Sequence, residues 1–220
     1  MAKKENSILQ LILSLMGITL VAAVLLSAVY IVTKDPIEKM KIEKNNAAKM
    51  AVLPGFNPET GTLTEVKIFS EELNDSLKVT LACMDNQLFG MAVATYTNKA
   101  FSGRFDIMAG FDKEGNLLNT EVLEHHETPG LGDKIDKKKS AFSVQFVGKN
   151  PNINKLTVKK DGDGGEVDAI TAATISSRAF CDAVNNAFKA FQTALKNYEL
   201  NTKNEITGND MIAEKEENYE

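Results

Sequence analysis

Four hydroxyl side chains lie within one short stretch of the chain, residues 168–177, whose sequence is DAITAATISS. The hydroxyls belong to Thr171, Thr174, Ser176 and Ser177. An amphipathic pattern follows directly, so we expect a helix to begin here. The first N–H groups of a helix have no partner within it. Together with the positive end of the helix dipole they favour an anion such as a phosphate. Ala172 and Ala173 would let a bulky ligand approach the backbone.

Helix capping is a simpler explanation of the same stretch. Serine and threonine are common where helices begin, because their oxygen atoms accept hydrogen bonds from the free N–H groups. Short hydroxyl-rich motifs also arise often by chance. These residues alone leave both a ligand site and an ordinary cap open.

Other kinds of chemistry have little support in the sequence. Cys83 and Cys181 are far apart, and His125 and His126 are adjacent without a spaced partner, so we expect no metal site. The cysteines could pair in an oxidising compartment, but buried free thiols are the simpler expectation. The chain has 30 acidic and 25 basic residues and a net charge of −5, which argues against nucleic-acid binding.

The elements that must position residues 168–177 are a sheet before them and a helix after them. Short β-branched or aromatic runs bounded by turn residues predict strands at 66–69, 77–83, 88–96, 107–111, 117–123 and 156–158. After residue 177, apolar residues recur at three- and four-residue spacing, which predicts one long helix packed on the sheet. These apolar residues are Phe180, Val184, Ala187, Phe188, Phe191 and Leu195. The predicted fold class is α+β, with an antiparallel sheet.

The amino-terminal part of the chain predicts a membrane anchor. Residues 8–32 contain no charged side chain, and about 20 mostly apolar residues suffice to cross a membrane as a helix. A cleaved signal peptide would have a shorter apolar region and a small-residue cleavage site. Asp35 and Pro36 then predict the start of a second, charged helix that ends near Pro54. The distribution of lysines on the two sides of the anchor slightly favours a cytoplasmic position for the folded domain. It does not decide on which side of the membrane the domain lies.

These patterns divide the chain into five segments. Residues 1–7 are a short flank, 8–32 the transmembrane helix, 33–55 a juxtamembrane helix or linker, 56–200 the folded domain and 201–220 a tail. The tail is acidic and nearly devoid of large apolar residues, which predicts disorder.

The hydroxyl stretch resembles the flavin-attachment motif of the FMN-binding domain family. That motif is aspartate, any two residues, serine or threonine, glycine or alanine, alanine and threonine, before a helix. In the family the last threonine receives FMN through its phosphate, donated from FAD by a dedicated flavin transferase. In this sequence it is Thr174, with Asp168 and Thr171 at the upstream positions. Ala172 lies where glycine is common in the family.

A second block strengthens the resemblance. Residues 125–135, HHETPGLGDKI, resemble the signature of the G subunits of Rnf electron-transport complexes. Residues 142–149 and residues 33–37, after the anchor, are also similar to that family, so the resemblance covers residues 5–200. The C subunit of the sodium-pumping quinone reductase shares this architecture and is an alternative.

By itself the second block would indicate only a turn between two elements, because of Pro129 and Gly130. Beside the flavin motif, the resemblance implies that this loop lies against the isoalloxazine ring or the ribityl chain. Glu127 and Thr128 would then be polar contacts and Leu131 an apolar one. The cofactor-binding residues implied in total are Thr174, Asp168, Thr171, Ala172, Ala173, Ser176, Ser177, Glu127, Thr128 and Leu131.

The resemblance implies an electron-transfer flavoprotein with FMN esterified to Thr174, a relay subunit of a translocase and not a free-standing enzyme. The complex would couple electron transfer between ferredoxin and NAD to export of Na⁺ or H⁺. The domain would lie on the extracytoplasmic side of the bacterial cytoplasmic membrane, with the other membrane subunits and the flavin transferase as partners. Two alternatives are a tethered module that binds a phosphate or flavin non-covalently and a scaffold subunit without a cofactor.

Overall fold

The computed structural model describes residues 8–85, 87–162 and 164–217, with the backbone alone from residue 204. The chain falls into two compact units that divide between Asn45 and Asn46. The predicted flank at residues 1–7 lies outside the described residues.

The first helix, α1, spans Ile8–Val52. Its apolar side chains from Ile8 to Val32 are exposed, and it is the one helix among the described residues long and apolar enough to cross a membrane. The new helix expected at Asp35 and Pro36 does not form, because α1 continues through Pro36. A proline costs a helix one hydrogen bond and crowds the preceding turn. The Lys-, Glu- and Ala-rich residues that follow favour helix, so the helix persists.

Five strands form one sheet: β1 (Thr62–Ser70), β2 (Asp75–Met84), β3 (Gln87–Ala100), β4 (Gly103–Asp112) and β5 (Leu117–Glu124). Their order in the sheet is their order in the chain, and every neighbouring pair is antiparallel. The predicted antiparallel sheet is therefore confirmed. The strand expected at 156–158 is reduced to an isolated bridge between Val158 and Val167.

The second helix, α2, spans Thr174–Glu217 and covers one face of the sheet. The predicted apolar stripe packs into the main core, with Phe180 and Val184 fully buried. This confirms the long C-terminal packing helix and, with the sheet, the α+β class. The helical backbone continues into the stretch 201–220, which contains good helix formers. Disorder of that stretch stays a prediction.

The other face of the sheet is covered by the end of α1 and the turn after it. Ala48, Val52, Leu53 and Phe56 pack against small and apolar side chains of the central strands. Residues on successive positions of a strand point to opposite faces, which is why Met91 belongs to the core under α2 whereas the next residue faces α1. The unit that begins at Asn46 is thus a sheet between two helical layers.

Among the described residues between β5 and α2 are loops and three short 3-10 turns, Gly132–Ile135, Phe142–Phe146 and Lys159–Asp161. Phe142 and Phe146 pack against Phe180 of α2, with ring centroids 5.5 and 5.0 Å away. These contacts hold the loops against the first turns of the helix.

Candidate functional site

Thr174 is the first residue of α2, and its side chain is half-buried. The loop before it is fixed by the hydroxyl of Ser177, which accepts the N–H of Ile170 at 2.9 Å and donates to the carbonyl of Ala173 at 3.0 Å. Ser177, in the first turn of α2, therefore ties the preceding loop to the helix by local side-chain to backbone bonds. The Thr174 side chain is left to face the adjoining cavity.

Ala172, two residues before the helix, has a φ of +63°. A side chain is disfavoured in this left-handed region, where glycine fits without strain. The glycine common at this position in the resembled family thus has a physical reason. The same turn reverses the chain so that residues 172–174 lie along the edge of one cavity.

Glu127 joins three separate segments at this cavity. Its carboxylate is buried, with 5% exposure, and Oε1 accepts the backbone N–H of Ser102 at 2.9 Å. Oε2 accepts the hydroxyl hydrogen of Ser176. The tip of the β3–β4 hairpin, the loop after β5 and the first turn of α2 therefore meet at one side chain.

Gly132 lies against this junction and leaves no room for a side chain. A Cβ atom added there would be 2.2 Å from Glu127 Oε2 and 2.8 Å from Ser176 Oγ. The loop after β5 can therefore approach α2 closely only with glycine at this position.

The cavity beside Thr174 has a volume of about 310 Å³ and is partly open to solvent. It is lined by Phe101, Glu127, Thr128, Leu131, Gly132, Ala172, Ala173, Thr174, Ile175 and Ser176. Three larger cavities, of about 380, 440 and 630 Å³, are also present on the domain, and Thr174 lines none of them. Size alone would favour those cavities, but only the smaller one combines the motif hydroxyl, the helix start and the loop after β5.

Seven of the sequence-predicted residues meet at this cavity: Glu127, Thr128, Leu131, Ala172, Ala173, Thr174 and Ser176. Three do not line it. Asp168 is exposed and pairs with Lys159 at 2.8 Å, Thr171 is exposed, and Ser177 is buried, where it bonds to the loop before the helix.

Sequence reasoning missed Phe101, Ile175 and Gly132, which line the cavity. Ile175 follows the motif threonine directly and could have been included for that reason. Phe101 gives a weaker signal, a large aromatic residue within 97–106, the connection between the predicted strands 88–96 and 107–111, where polar residues and glycine are usual.

No lysine or arginine lines this cavity in the described part of the chain. The nearest turn of α2 carries Arg178, but its guanidinium binds Asp161, with Nε 2.9 Å from Oδ1. That contact raises the pKa of Arg178. Positive potential at the cavity comes instead from the first N–H groups of α2.

The lining fits an FMN group. The start of α2 offers N–H groups to a phosphate, and the alanines beside Thr174 leave the backbone approachable. Phe101, Leu131 and Ile175 supply apolar surface for a planar ring system, and Thr174 offers the hydroxyl for an ester.

Comparison with known proteins also points to an FMN-binding domain. Residues 100–189 match the FMN-binding domain family. The G subunit of the ion-translocating oxidoreductase complex of Haemophilus influenzae (strain PittEE) is 31% identical over 190 residues, covering 83% of this chain and 88% of the relative. The G subunit of Yersinia pestis is 34% identical over 188 residues, covering 80% and 89%. That of Cronobacter sakazakii is 45% identical over 96 residues, covering 42% and 45%.

Proposed function

This chain belongs to the family of G subunits of ion-translocating oxidoreductase complexes, and we propose that it carries FMN esterified to Thr174 and relays electrons within such a complex. The observation that carries the proposal is the position of Thr174, at a helix start and on a cavity also lined by Glu127, Thr128, Leu131 and Gly132. The meeting of the motif threonine with the loop of the second sequence block at one cavity supports the proposal.

The charges at the cavity favour a covalent link over reversible binding. Sites that hold a free phosphate usually contain arginine or lysine, because charge-assisted hydrogen bonds are the strong ones. The described lining has a buried carboxylate, Glu127, and no cationic side chain. An ester to Thr174 retains the phosphate without a counter-ion and lowers its charge. A non-covalent module would have to bind a dianion beside Glu127 with backbone N–H groups alone.

Attachment would join Thr174 Oγ to the flavin-side phosphorus of FAD, with loss of the hydroxyl proton and release of AMP; a flavin transferase would catalyse it. Bound FMN accepts and donates one or two electrons at its ring, and the protein supplies position and electrostatics. The tether sits at the phosphate, far from the ring, so the ester holds the cofactor without altering its ring chemistry. Glu127 and Ser176 would hold the loop and the helix start in place around it.

Within the complex, we place the domain on the extracytoplasmic side of the bacterial cytoplasmic membrane, anchored by the candidate span in α1. A covalent cofactor suits that side because dissociated FMN could not be replaced from the cytoplasmic pool. The complex would couple electron transfer between ferredoxin and NAD to export of Na⁺ or H⁺. Its other membrane subunits would be the partners of this one.

Mass spectrometry of the tryptic peptide that contains Thr174 tests the attachment. The full chain is expressed in a host that has the flavin transferase and is purified in detergent. We expect the peptide to carry the mass of FMN, and we expect Thr174→Ala protein to be colourless. Thr193→Ala is the matched control, since Thr193 is an exposed threonine on the same helix, and it should stay yellow.

Other outcomes point to the alternatives. An unmodified Thr174 peptide with flavin released on denaturation would indicate a non-covalent module. Absence of flavin from protein made beside an active transferase would indicate a scaffold subunit. Yellow Thr174→Ala protein whose flavin resists denaturant would contradict the assignment of the attachment residue.

A further inference from the structure

Three large apolar side chains remain exposed around the cavity beside Thr174. Phe101 is 66% exposed, Ile175 48% and Leu131 42%, and all three line that cavity. They come from three different segments: the β3–β4 hairpin, the start of α2 and the loop after β5. Single exposed apolar residues are ordinary, but a cluster around one cavity indicates a binding surface.

Phe101 is the aromatic member of this cluster and lies in an unusual place. The connection between β3 and β4 consists of Phe101 and Ser102, since Ala100 pairs with Gly103. Gly103 has a φ of +93°. Hairpin tips are normally built from glycine, asparagine and aspartate. A phenylalanine at the tip does not stabilise the turn itself, so we look for a role of its side chain outside the turn.

The tip is held in position over the cavity. The N–H of Ser102 donates to Glu127 Oε1 at 2.9 Å, and the same carboxylate accepts the Ser176 hydroxyl. The residue next to Phe101 is thus tied to the first turn of α2, which carries Thr174. Because Glu127 is buried, this contact is shielded from water and fixes where the phenylalanine is presented.

From these contacts we infer that Phe101 packs its ring against the isoalloxazine of the FMN at Thr174, an inference that rests on the proposed function. Aromatic rings and planar conjugated systems associate through offset or edge contacts, which add to the burial of apolar area. Leu131 and Ile175 complete the apolar contact. The hairpin tip, which neither sequence motif includes, becomes part of the flavin site.

The chain contains no tryptophan, which permits a direct test. An excited flavin takes an electron from an indole in contact with it, and the electron returns without emission. Phe101→Trp should therefore lower the fluorescence per bound flavin severalfold. Phe69→Trp is the matched control, because Phe69 is 60% exposed on β1 and does not line the cavity. Its fluorescence should equal that of the wild type.

A second pair of variants measures how well the side chain of Phe101 shields the flavin from iodide in solution. In Phe101→Ala the flavin should become more accessible to iodide, with a quenching constant about twice that of the wild type, since one face of the ring loses its cover. Phe69→Ala should leave the constant unchanged. All proteins are full chains purified in detergent from a flavinylating host, and absorbance normalises the signals to the flavin present.

The outcomes separate this inference from the proposed function. If Phe101→Trp and Phe69→Trp fluoresce alike while the Thr174 peptide carries FMN, the contact with Phe101 is wrong and the attachment stands. If the wild-type peptide carries no FMN, both proposals fail. Quenching confined to Phe101→Trp, together with increased iodide access in Phe101→Ala, supports the contact.

Discussion

At the scale of single residues, the site depends on one buried carboxylate that holds together parts of the chain far apart in sequence. Glu127 accepts hydrogen bonds from Ser102 and Ser176, which lie 25 residues before it and 49 residues after it. A buried acceptor satisfied by two donors stabilises the fold, and its loss would leave both donors unpaired. The geometry around Thr174 is therefore a product of the folded domain and not of the motif alone.

The left-handed backbone at Ala172 predicts that glycine would stabilise the protein. Ala172→Gly removes the strain of a side chain at φ +63°, and we expect a gain of about 1 kcal/mol in the free energy of unfolding. Urea unfolding of the chain without its anchor measures it. Ala173→Gly is the control: Ala173 is 7% exposed in the core, and this change should cost about 1 kcal/mol. A less stable Ala172→Gly protein would contradict the assigned backbone conformation.

The buried thiol of Cys181 predicts that the stability of the fold depends on pH in the alkaline range. Burial raises the pKa of Cys181 from 9.0 to about 12, so the folded protein keeps the thiol proton where the unfolded chain loses it. The contribution of the protonated thiol to the free energy of unfolding is complete below pH 9.0 and is lost as the pH rises towards 12.

We expect the unfolding free energy of the wild type to fall more steeply across this window than that of Cys181→Ala, as measured by urea unfolding at several pH values. Cys83→Ala is the control, because that thiol is only half-buried. Identical slopes for the wild type and Cys181→Ala would show that the thiol is not buried as described.

Sequence could locate the hydroxyl stretch because a helix start has a local signature of small and hydroxyl-bearing residues. That local signature fits Thr174 and Ser177 equally, and only the resemblance to the flavin motif singled out Thr174. The bond from Ser177 to the loop at Ile170 became visible only in the fold. Phe101 lay beyond sequence reasoning for a different reason. Its place beside α2 results from the register in which β3 pairs with β4 and from the contact of Ser102 with Glu127, a residue far away in the sequence.

At the scale of elements, the end of α1 is packed so tightly on the sheet that β4 needs a glycine. A Cβ atom added at Gly110 would be 1.9 Å from the carbonyl oxygen of Val52 and 2.7 Å from its carbon. The overlap involves backbone, which cannot rotate away as a side chain can. The last turn of α1 is therefore part of the folded domain.

Gly110→Ala should destabilise the anchor-free chain by about 3 kcal/mol, because the helix end must move or the strand must bend. Gly148→Ala is the matched control: its φ of +78° brings backbone strain, but nothing lies within 4 Å of the added Cβ. We expect a loss of about 1–2 kcal/mol there. Equal losses in the two variants, measured by urea unfolding, would contradict the close packing of α1 on β4.

The sheet was easier to predict, because it rests on two local patterns. Apolar residues alternate within the strands, and turn residues lie between the strands. The continuity of α1 was harder. Pro36 predicts a boundary from its missing N–H, whereas the structure shows that the flanking residues carry the helix through it. Residues 156–158 look like a strand in sequence but find only one bridging partner, Val167. A strand needs a neighbour, and its own residues do not reveal whether one is present.

At the scale of the whole molecule, the compact unit that begins at Asn46 predicts where the chain can be shortened. A chain that begins at Thr33 lacks the apolar segment and should be soluble and folded. A chain that begins at Pro54 also lacks Ala48, Val52 and Leu53, which are all buried. Its free energy of unfolding should be lower by several kcal/mol, because burial of each large apolar side chain contributes about 1.5–3 kcal/mol. Solubility and thermal unfolding compare the two. Recovery of the longer one only from membranes would count against the anchor.

The sheet order has a consequence for how the protein is made. Each strand pairs with the strand just before it in the chain, so the meander can assemble stepwise while a nascent chain emerges from the ribosome. The helix start at residue 174 follows the whole sheet, and the pocket it completes does not exist until synthesis has passed that point. A chain that stalls or misfolds earlier presents no pocket for cofactor loading, so yellow colour would report on completed biogenesis.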